Sequence, residues 1–326
     1  MKAKILQALR EADGYVSGQQ LCEKLGVSRT AVWKTIRQLK EAGYGIDSVP
    51  NRGYHMESAP DILNKSELLS LRRTTWIGER LEYFDVIGST NTTAMKLAEE
   101  GAPHGTLVVA DRQDNGKGRR GRGWVLPAGV AIAMSIVLKP EKLHPGNAPM
   151  LTLVSALAVV RAIRGQTGID AVVKWPNDIV IDGKKVCGIL TEMSTQMDYI
   201  NHIVVGIGIN VQNSGFPEEL SGRATSLFLA SGRHYSRAQL TESVCEFFEY
   251  YYEIFSRTED MSALLEEYDS YLANTGKRVR VLDPKGEFEG VAKGISNRGE
   301  LLVETEEGLK KVDSGEVSVR GIYGYV

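Results

Sequence analysis

The chain has 326 residues, 42% hydrophobic and 25% charged, an ordinary globular composition with length for two or three domains. No apolar run of membrane-spanning length and no secretory signal stand out, so the expectation is a soluble cytoplasmic protein with no membrane partner. Cys22, Cys187 and Cys245 are scattered, without CxxC spacing or nearby histidines, which argues against a disulfide scaffold or a zinc site and leaves them as small buried apolar residues; no metal ligands are named. The formal net charge of −2 is unevenly spread: residues 1–60 hold nine Lys and Arg against six Asp and Glu, an excess of three positive charges that leaves five negative on the remainder.

The N-terminal segment has helical spacing at Ile5, Leu6 and Leu9, then two short helices joined by a glycine turn at Gly26. Leu21, Leu25, Val27, Val32, Ile36 and Leu39 give that pair one apolar face, and Ser28 is placed to cap the second helix. This is helix-turn-helix geometry, and the alternating stretch Tyr44–Met56 with a tip at Pro50–Gly53 adds a wing. Ser28, Arg29, Thr30, Trp33, Lys34 and Arg37 on the second helix and Arg52 at the hairpin tip suit major-groove entry with backbone contact. A structural or protein-binding helix-turn-helix is the alternative, against which the basic excess weighs. The winged unit is expected over residues 1–60, with a linker between Ser58 and Asn64.

A second domain is expected over residues 64–272. Leu81–Ile87 reads as a strand, Ser89 opens a helix, and Thr106–Ala110 and Val130–Leu138 are further strands. Between them Asp111–Pro127 packs Lys117, Arg119, Arg120 and Arg122 among Gly116, Gly118, Gly121 and Gly123. Glycine lets backbone N–H groups approach an anion and the cations neutralise it, so the loop reads as phosphate-handling; a flexible basic surface loop is the plain alternative. Leu151–Gly165 has the period of a core helix, and Val172–Trp175, Ile179–Ile181, Lys184–Met193 and Ile200–Val211 complete a mixed sheet backed by helices. Arg237–Leu272 is helical in pattern. Over residues 275–326, short strands at 278–282, 287–295, 301–305, 309–312 and 317–320 separated by glycine turns predict a small SH3-like barrel. The fold class is thus α+β and multidomain.

In order, Gly88–Asn91 (Gly-Ser-Thr-Asn), the loop Gly116–Arg122, Lys174–Asp178 (Lys-Trp-Pro-Asn-Asp), Gly183–Gly188 and Gly206–Asn210 (Gly-Ile-Gly-Ile-Asn) closely resemble the motifs of the biotin protein ligases. With the helix-turn-helix, the resemblance extends over essentially the whole chain and is to the bifunctional type that also represses the biotin operon. One departure is Lys117, where the family often has arginine; charge is kept and a planar bidentate donor is lost.

The resemblance implies a class II synthetase-like central fold and a two-step reaction. Biotin's carboxylate attacks the α-phosphorus of ATP to give biotinyl-5′-adenylate and pyrophosphate; a lysine of biotin carboxyl carrier protein then takes the biotinyl group. Two anions must meet in the first step, so cations are required. By the family pattern Arg119 and Lys185 supply them, and Asp178 orients the incoming lysine or accepts its proton. Biotin contacts are assigned to Ser89, Thr90, Asn91, Gln113, Gly116, Lys117, Arg119, Lys185 and Gly188, with helix capping a compatible reading of Ser89 and Thr90. ATP contacts fall to Arg122, Trp124, Lys174, Asn177, Asn210 and Arg320, and Mg2+ is expected with the nucleotide, held by phosphates and water. Operator DNA, acetyl-CoA carboxylase's carrier subunit and a second copy of the chain, dimeric when adenylate is bound, are the implied partners. The alternatives are a ligand-sensing repressor without ligase activity, against which retention of Lys185, Arg119 and Asp178 argues, and a lipoate ligase of related fold.

Overall fold

The computed structural model describes residues 1–196, 199–283, 286–315 and 317–321; Glu316 of the Gly315–Arg320 run and residues 322–326 of the expected third domain lie outside them. The chain divides into two units, Met1–Arg73 with Ser236–Glu242, and Thr74–Tyr235 with the chain from Ser243 onward.

In the first unit α1 (Lys2–Arg10), α2 (Gly18–Leu25) and α3 (Arg29–Glu41) precede a hairpin of β1 (Gly45–Val49) and β2 (Gly53–Ser58), followed by α4 (Lys65–Leu71). Ser17 and Gln20 form a capping box at the start of α2, and Gly26 ends it in the left-handed conformation, φ 65°. Ser28 accepts the Ala31 N–H at 3.3 Å and starts α3. The helices therefore turn where their end groups are satisfied, and Ile5, Leu6, Leu9, Leu21, Val32, Ile36 and Leu39 converge with Tyr44 and Ile46 in one core. Each fully buried aliphatic of this kind contributes about 1.5–3 kcal/mol. At the wing, a Cβ on Gly53 (φ 114°) would lie 2.1 Å from the Val16 carbonyl oxygen, so only glycine closes the hairpin there. Helix α4 has no counterpart in the sequence reading. Asn64 caps it, accepting the Glu67 N–H at 2.9 Å, and buried Glu67 accepts from the Tyr44 hydroxyl at 2.6 Å and pairs with Arg10. The unit thus runs past the segment read as a linker, and it takes in Arg237, whose Nε lies 3.0 Å from Asp61 Oδ2.

In the second unit β3 (Leu81–Ile87), α5 (Thr90–Glu99) and β4 (Leu107–Gln113) make a parallel crossover, followed by β5 (Ala131–Leu138), α6 (Leu151–Thr167), β6 (Val172–Lys174), β7 (Asp178–Ile181), β8 (Lys184–Gln196) and β9 (Tyr199–Asn210). The strands form one mixed sheet in the order β3-β4-β5-β9-β8-β7-β6, parallel only between β3 and β4. Every residue of β5 is buried, which is why its sequence runs apolar without alternation. Helix α5 packs on β4, β5 and β9, and α6 on β6, β7, β8 and β9. Pro145–Thr167 is long and apolar enough in composition to cross a membrane, a length the reading of the sequence passed over; 72% of its most apolar window is buried, the position of a core helix.

After α7 (Glu218–Ser221) and α8 (Leu227–Ser231), α9 (Arg237–Thr258) stops short of the helix predicted to Leu272. Glu259 turns left-handed at φ 57° and Asp260 Oδ1 takes the Ser262 N–H at 2.9 Å, a side-chain bond that competes with the helical ladder, before α10 (Leu265–Ser270) resumes. Strands β10 (Arg278–Leu282), β11 (Phe288–Ile295), β12 (Leu301–Thr305), β13 (Gly308–Val312) and β14 (Ser318–Gly321) form an antiparallel sheet in the order β13-β12-β11-β10-β14. Where the strand spacing predicts a closed barrel, β13 and β14 stay unpaired with each other among the described residues, and the sheet is open.

Candidate functional site

The N-terminus of α5 and the centre of the large sheet enclose a cleft of roughly 470 Å3, counted to its open mouth, lined among others by Ser89, Thr90, Asn91, Gln113, Lys117, Arg119, Trp124, Asn177, Lys185 and Gly188. One wall is polar. Ser89 caps α5 by accepting the Thr92 N–H at 3.3 Å while lining the cleft, so capping and site membership coincide. Gln113, at the end of β4, accepts the Thr90 N–H at 2.9 Å through Oε1 and donates from Nε2 to the Trp124 carbonyl at 3.3 Å. A Cβ on Gly116 would lie 2.1 Å from that same Nε2, so the glycine is what lets the loop reach Gln113. Ser135 of β5 and Glu192 of β8, absent from the sequence reading, bond Asn91 from two sides at 2.6 and 2.7 Å.

The basic loop folds on itself. Trp124 N–H donates to Gly116 O at 2.8 Å and Gly118 N–H to Arg122 O at 2.7 Å, while Arg120 (φ 60°) and Gly121 (φ 70°) turn left-handed at its tip. Arg119 points inward from the tip, donating from Nη1 to Asn177 Oδ1 at 3.0 Å and from Nη2 to the carbonyls of Ser314 (2.5 Å), Gly315 (2.7 Å) and Val317 (3.2 Å). The turn before β14 is thus part of the setting of the loop, a contact no local pattern announces. Burial lowers the pKa of Arg119 from its ordinary value, and Asp178 opposes the shift. Lys117 is exposed and pairs with Gly123 in an isolated bridge, while Arg122 and Arg120 are exposed.

The Lys174–Asp178 run is anchored from below. Trp175 is 1% exposed, its indole N–H donates to Gly299 O at 3.0 Å, and the Trp175–Pro176 bond is cis. Asn177 donates to Ile189 O at 3.0 Å. On the neighbouring strand, Lys185 Nζ lies 2.5 Å from Asp178 Oδ1 and 4.9 Å above the Trp124 ring. A Cβ on Gly188 would come within 2.9 Å of that Nζ, so the glycine keeps a path for the ammonium. Lys174 is 5% exposed. Burial, with Lys185, Arg320 and Arg122 as neighbouring cations, pulls its pKa down to about 8 against the attraction of Asp178. The same interactions place Arg122 and Arg320 in the electrostatic neighbourhood of Lys174, although Arg320 stands on β14 opposite Arg280. Asn210, last in β9, is buried, donates to Thr225 O at 3.1 Å and is not among the cleft-lining residues. Among the described residues no group of three or more His, Cys, Asp or Glu could hold a metal ion.

In the first unit Ser28 is spent on capping, and Arg29, Thr30, Trp33, Lys34 and Arg37 are exposed on α3. Trp33 is 55% exposed, with the Arg37 guanidinium 5.2 Å from its ring; Arg29 donates to Gln19 Oε1 at 2.9 Å, and Arg52 stacks 4.2 Å over Tyr15 at the wing. A bulky apolar ring held in water beside cations is a surface arranged for contact.

Residues 2–55 match the HTH domain, residues 83–210 the Biotin/lipoate A/B protein ligase family, and residues 275–320 the Biotin protein ligase C terminal domain. The class is therefore a biotin- or lipoate-type ligase domain carried behind a helix-turn-helix. The chain is 42% identical to the bifunctional ligase/repressor BirA of Bacillus spizizenii over 94% of each chain, and 29% identical to that of Escherichia coli K12 over 97% of this chain and 96% of the other. Biotin protein ligase from Aquifex aeolicus in complex with biotin and ATP is 33% identical, with a TM-score of 0.66 over 74% of this chain and 99% of that one. The chain belongs to the biotin protein ligase family.

Proposed function

We propose that the protein activates biotin with ATP to biotinyl-5′-adenylate, transfers the biotinyl group to a lysine of biotin carboxyl carrier protein, and represses biotin operon transcription with the adenylate as corepressor. The observation that carries the reading is the convergence of Lys185, paired with Asp178 behind it, and Arg119 beside a polar wall of Thr90 and Gln113 in one cleft. Biotin's ureido ring lies against Ser89, Thr90 and Gln113, with Gly116 and Gly188 allowing close approach, and its carboxylate points to Lys185. The ammonium leaves Asp178 for the carboxylate and α-phosphate oxygens, lowering the repulsion between two anions as the new P–O bond forms and pyrophosphate departs. Arg119 and Lys117 close over the adenylate, Trp124 covers the adenine and Asn210 reads it, and Arg122, Lys174, Asn177 and Arg320 contact the nucleotide. Mg2+ arrives with ATP, bound to phosphate oxygens. Asp178, freed from Lys185, orients the acceptor lysine or takes its proton.

The central fold is class II synthetase-like. In the cytoplasm the adenylate-bound protein pairs with a second copy, presenting two α3 helices to a palindromic operator. Exchange of labelled pyrophosphate into ATP is the test: exchange with biotin and not lipoate supports the reading, and none with either vitamin in folded protein with Mg2+ refutes it. Operator affinity unchanged by biotin plus ATP would refute the corepressor coupling.

A further inference from the structure

We infer that Ser135 and Glu192, acting through Asn91, fix the Thr90 hydroxyl as a hydrogen-bond acceptor toward the cleft, making the site select a ligand ring that carries an N–H donor. The inference rests on the ligase reading and concerns how that site tells biotin's ureido ring from a ring without N–H groups.

The polarity follows from counting protons. The side-chain nitrogen of Asn91 faces Glu192 Oε2 at 2.7 Å and the Leu190 carbonyl at 3.2 Å, both acceptors, so this end of the amide is the donor. Its Oδ1 is thereby turned to Ser135 Oγ, 2.6 Å away. An amide oxygen only accepts, so the Ser135 hydroxyl gives it its single proton. Ser135 Oγ is also 2.8 Å from Thr90 Oγ1, near enough to donate there, but its single proton goes to the shorter contact with the acceptor-only Asn91 oxygen at 2.6 Å, which leaves it only lone pairs to offer Thr90. The other neighbour of the Thr90 hydroxyl, Gln113 Oε1 at 3.2 Å, is an acceptor as well, held that way round by the Thr90 N–H at 2.9 Å and by Nε2 facing Trp124 O. The Thr90 proton therefore turns into the protein, and Oγ1 has a lone pair left for the cleft that Thr90 lines.

Packing locks the arrangement. Ser135 is 0% exposed, a lone hydroxyl in an otherwise apolar strand, and Asn91 is 5% exposed. A Cβ on Gly206 would lie 2.0 Å from Asn91 Oδ1, so the glycine leaves room for the amide. Both ends of that amide are engaged by protein, which makes Asn91, Ser135 and Glu192 positioning residues. A ureido N–H meets a ready acceptor; the dithiolane ring of lipoate would leave a desolvated acceptor unpaired, the kind of mismatch that discriminates strongly.

Calorimetric titration with biotin alone, together with KM values for biotin and ATP from pyrophosphate exchange, tests this in wild type, Ser135→Ala and Glu192→Gln. Loss of one ordering hydrogen bond in Ser135→Ala should raise the Kd and KM for biotin about tenfold, and Glu192→Gln about threefold, with KM for ATP within about twofold. Biotin constants within about twofold of wild type in both variants, or a parallel rise in KM for ATP, would overturn the inference. If Ser135→Ala does not fold, Glu192→Ala, which removes the acceptor for the Asn91 N–H at a partly exposed position, is read in its place, with the same thresholds. A wild-type protein that neither binds biotin nor exchanges pyrophosphate would instead overturn the ligase reading, and the two failures are read from different proteins.

Discussion

Replacing Lys174 with arginine should remove an alkaline loss of nucleotide use that the wild type shows. Lys174 is enclosed on β6, and burial plus the cations Lys185, Arg320 and Arg122 hold its pKa at about 8 instead of 10.5. It is then about nine-tenths protonated at pH 7 and about one-tenth at pH 9. If the ammonium contacts the nucleotide, kcat/KM for ATP, which at saturating biotin reports the enzyme before ATP binds, should fall about tenfold across that interval. Arginine stays charged throughout, so Lys174→Arg should show a flat profile whatever its absolute rate. The effect on stability has the opposite sign. The folded pKa lies below the unfolded value, so between about 8 and 10.5 the unfolded chain binds more protons and this group's contribution to stability rises with pH. The assay is biotin-dependent pyrophosphate exchange at saturating biotin, run from pH 7 to 9 on both proteins. The same alkaline decline in Lys174→Arg as in wild type would refute the assignment.

Lys185→Ala should lose more than about tenfold in adenylation while staying folded, since one charge met by two reacting anions is worth well over 1.4 kcal/mol; a rate within tenfold of wild type would remove Lys185 from the chemistry. Gly206→Ala should destabilise the second unit by about 2–4 kcal/mol, because a Cβ 2.0 Å from Asn91 Oδ1 breaks its bonds to Ser135 and Glu192. Gly208→Ala would put a Cβ 2.2 Å from Trp124 Nε1, a half-buried side chain and not a buried hydrogen-bonded amide, and should cost under about 1 kcal/mol of stability while weakening ATP binding. Equal urea-denaturation losses in the two variants would contradict this distinction. Arg29→Ala should weaken operator binding by about 1–3 kcal/mol in a gel-shift titration and leave pyrophosphate exchange unchanged; an equal loss of both would point to misfolding.

The sequence by itself determined the elements whose signals are local. Ser17, Gly26 and Ser28 mark helix ends wherever the helices pack, and the run Val130–Leu138, apolar but for Ser135, requires a strand covered on both faces. Arg119 stood out as charge set among glycines, and Lys185, Thr90 and Gln113 were named through the resemblance to the biotin protein ligases. Helix α4 and the break at Glu259–Asp260 escaped, since each depends on one cap in a short polar stretch. What only the tertiary structure decided is which side chains finish one another's hydrogen bonds. Ser135 is a single polar letter in an apolar strand and Glu192 one of several polar residues in β8, 57 residues apart by their numbers, and nothing nearby marks them. Sheet pairing of β5 with β9 and β9 with β8 brings both to Asn91. Arg119 reaches the carbonyls before β14 only because the terminal sheet folds back on its unit. Capping and periodicity act within a few residues and are written in order along the chain; the polarity of a buried hydroxyl is set by whichever distant acceptors surround it, and that is a property of the packed fold.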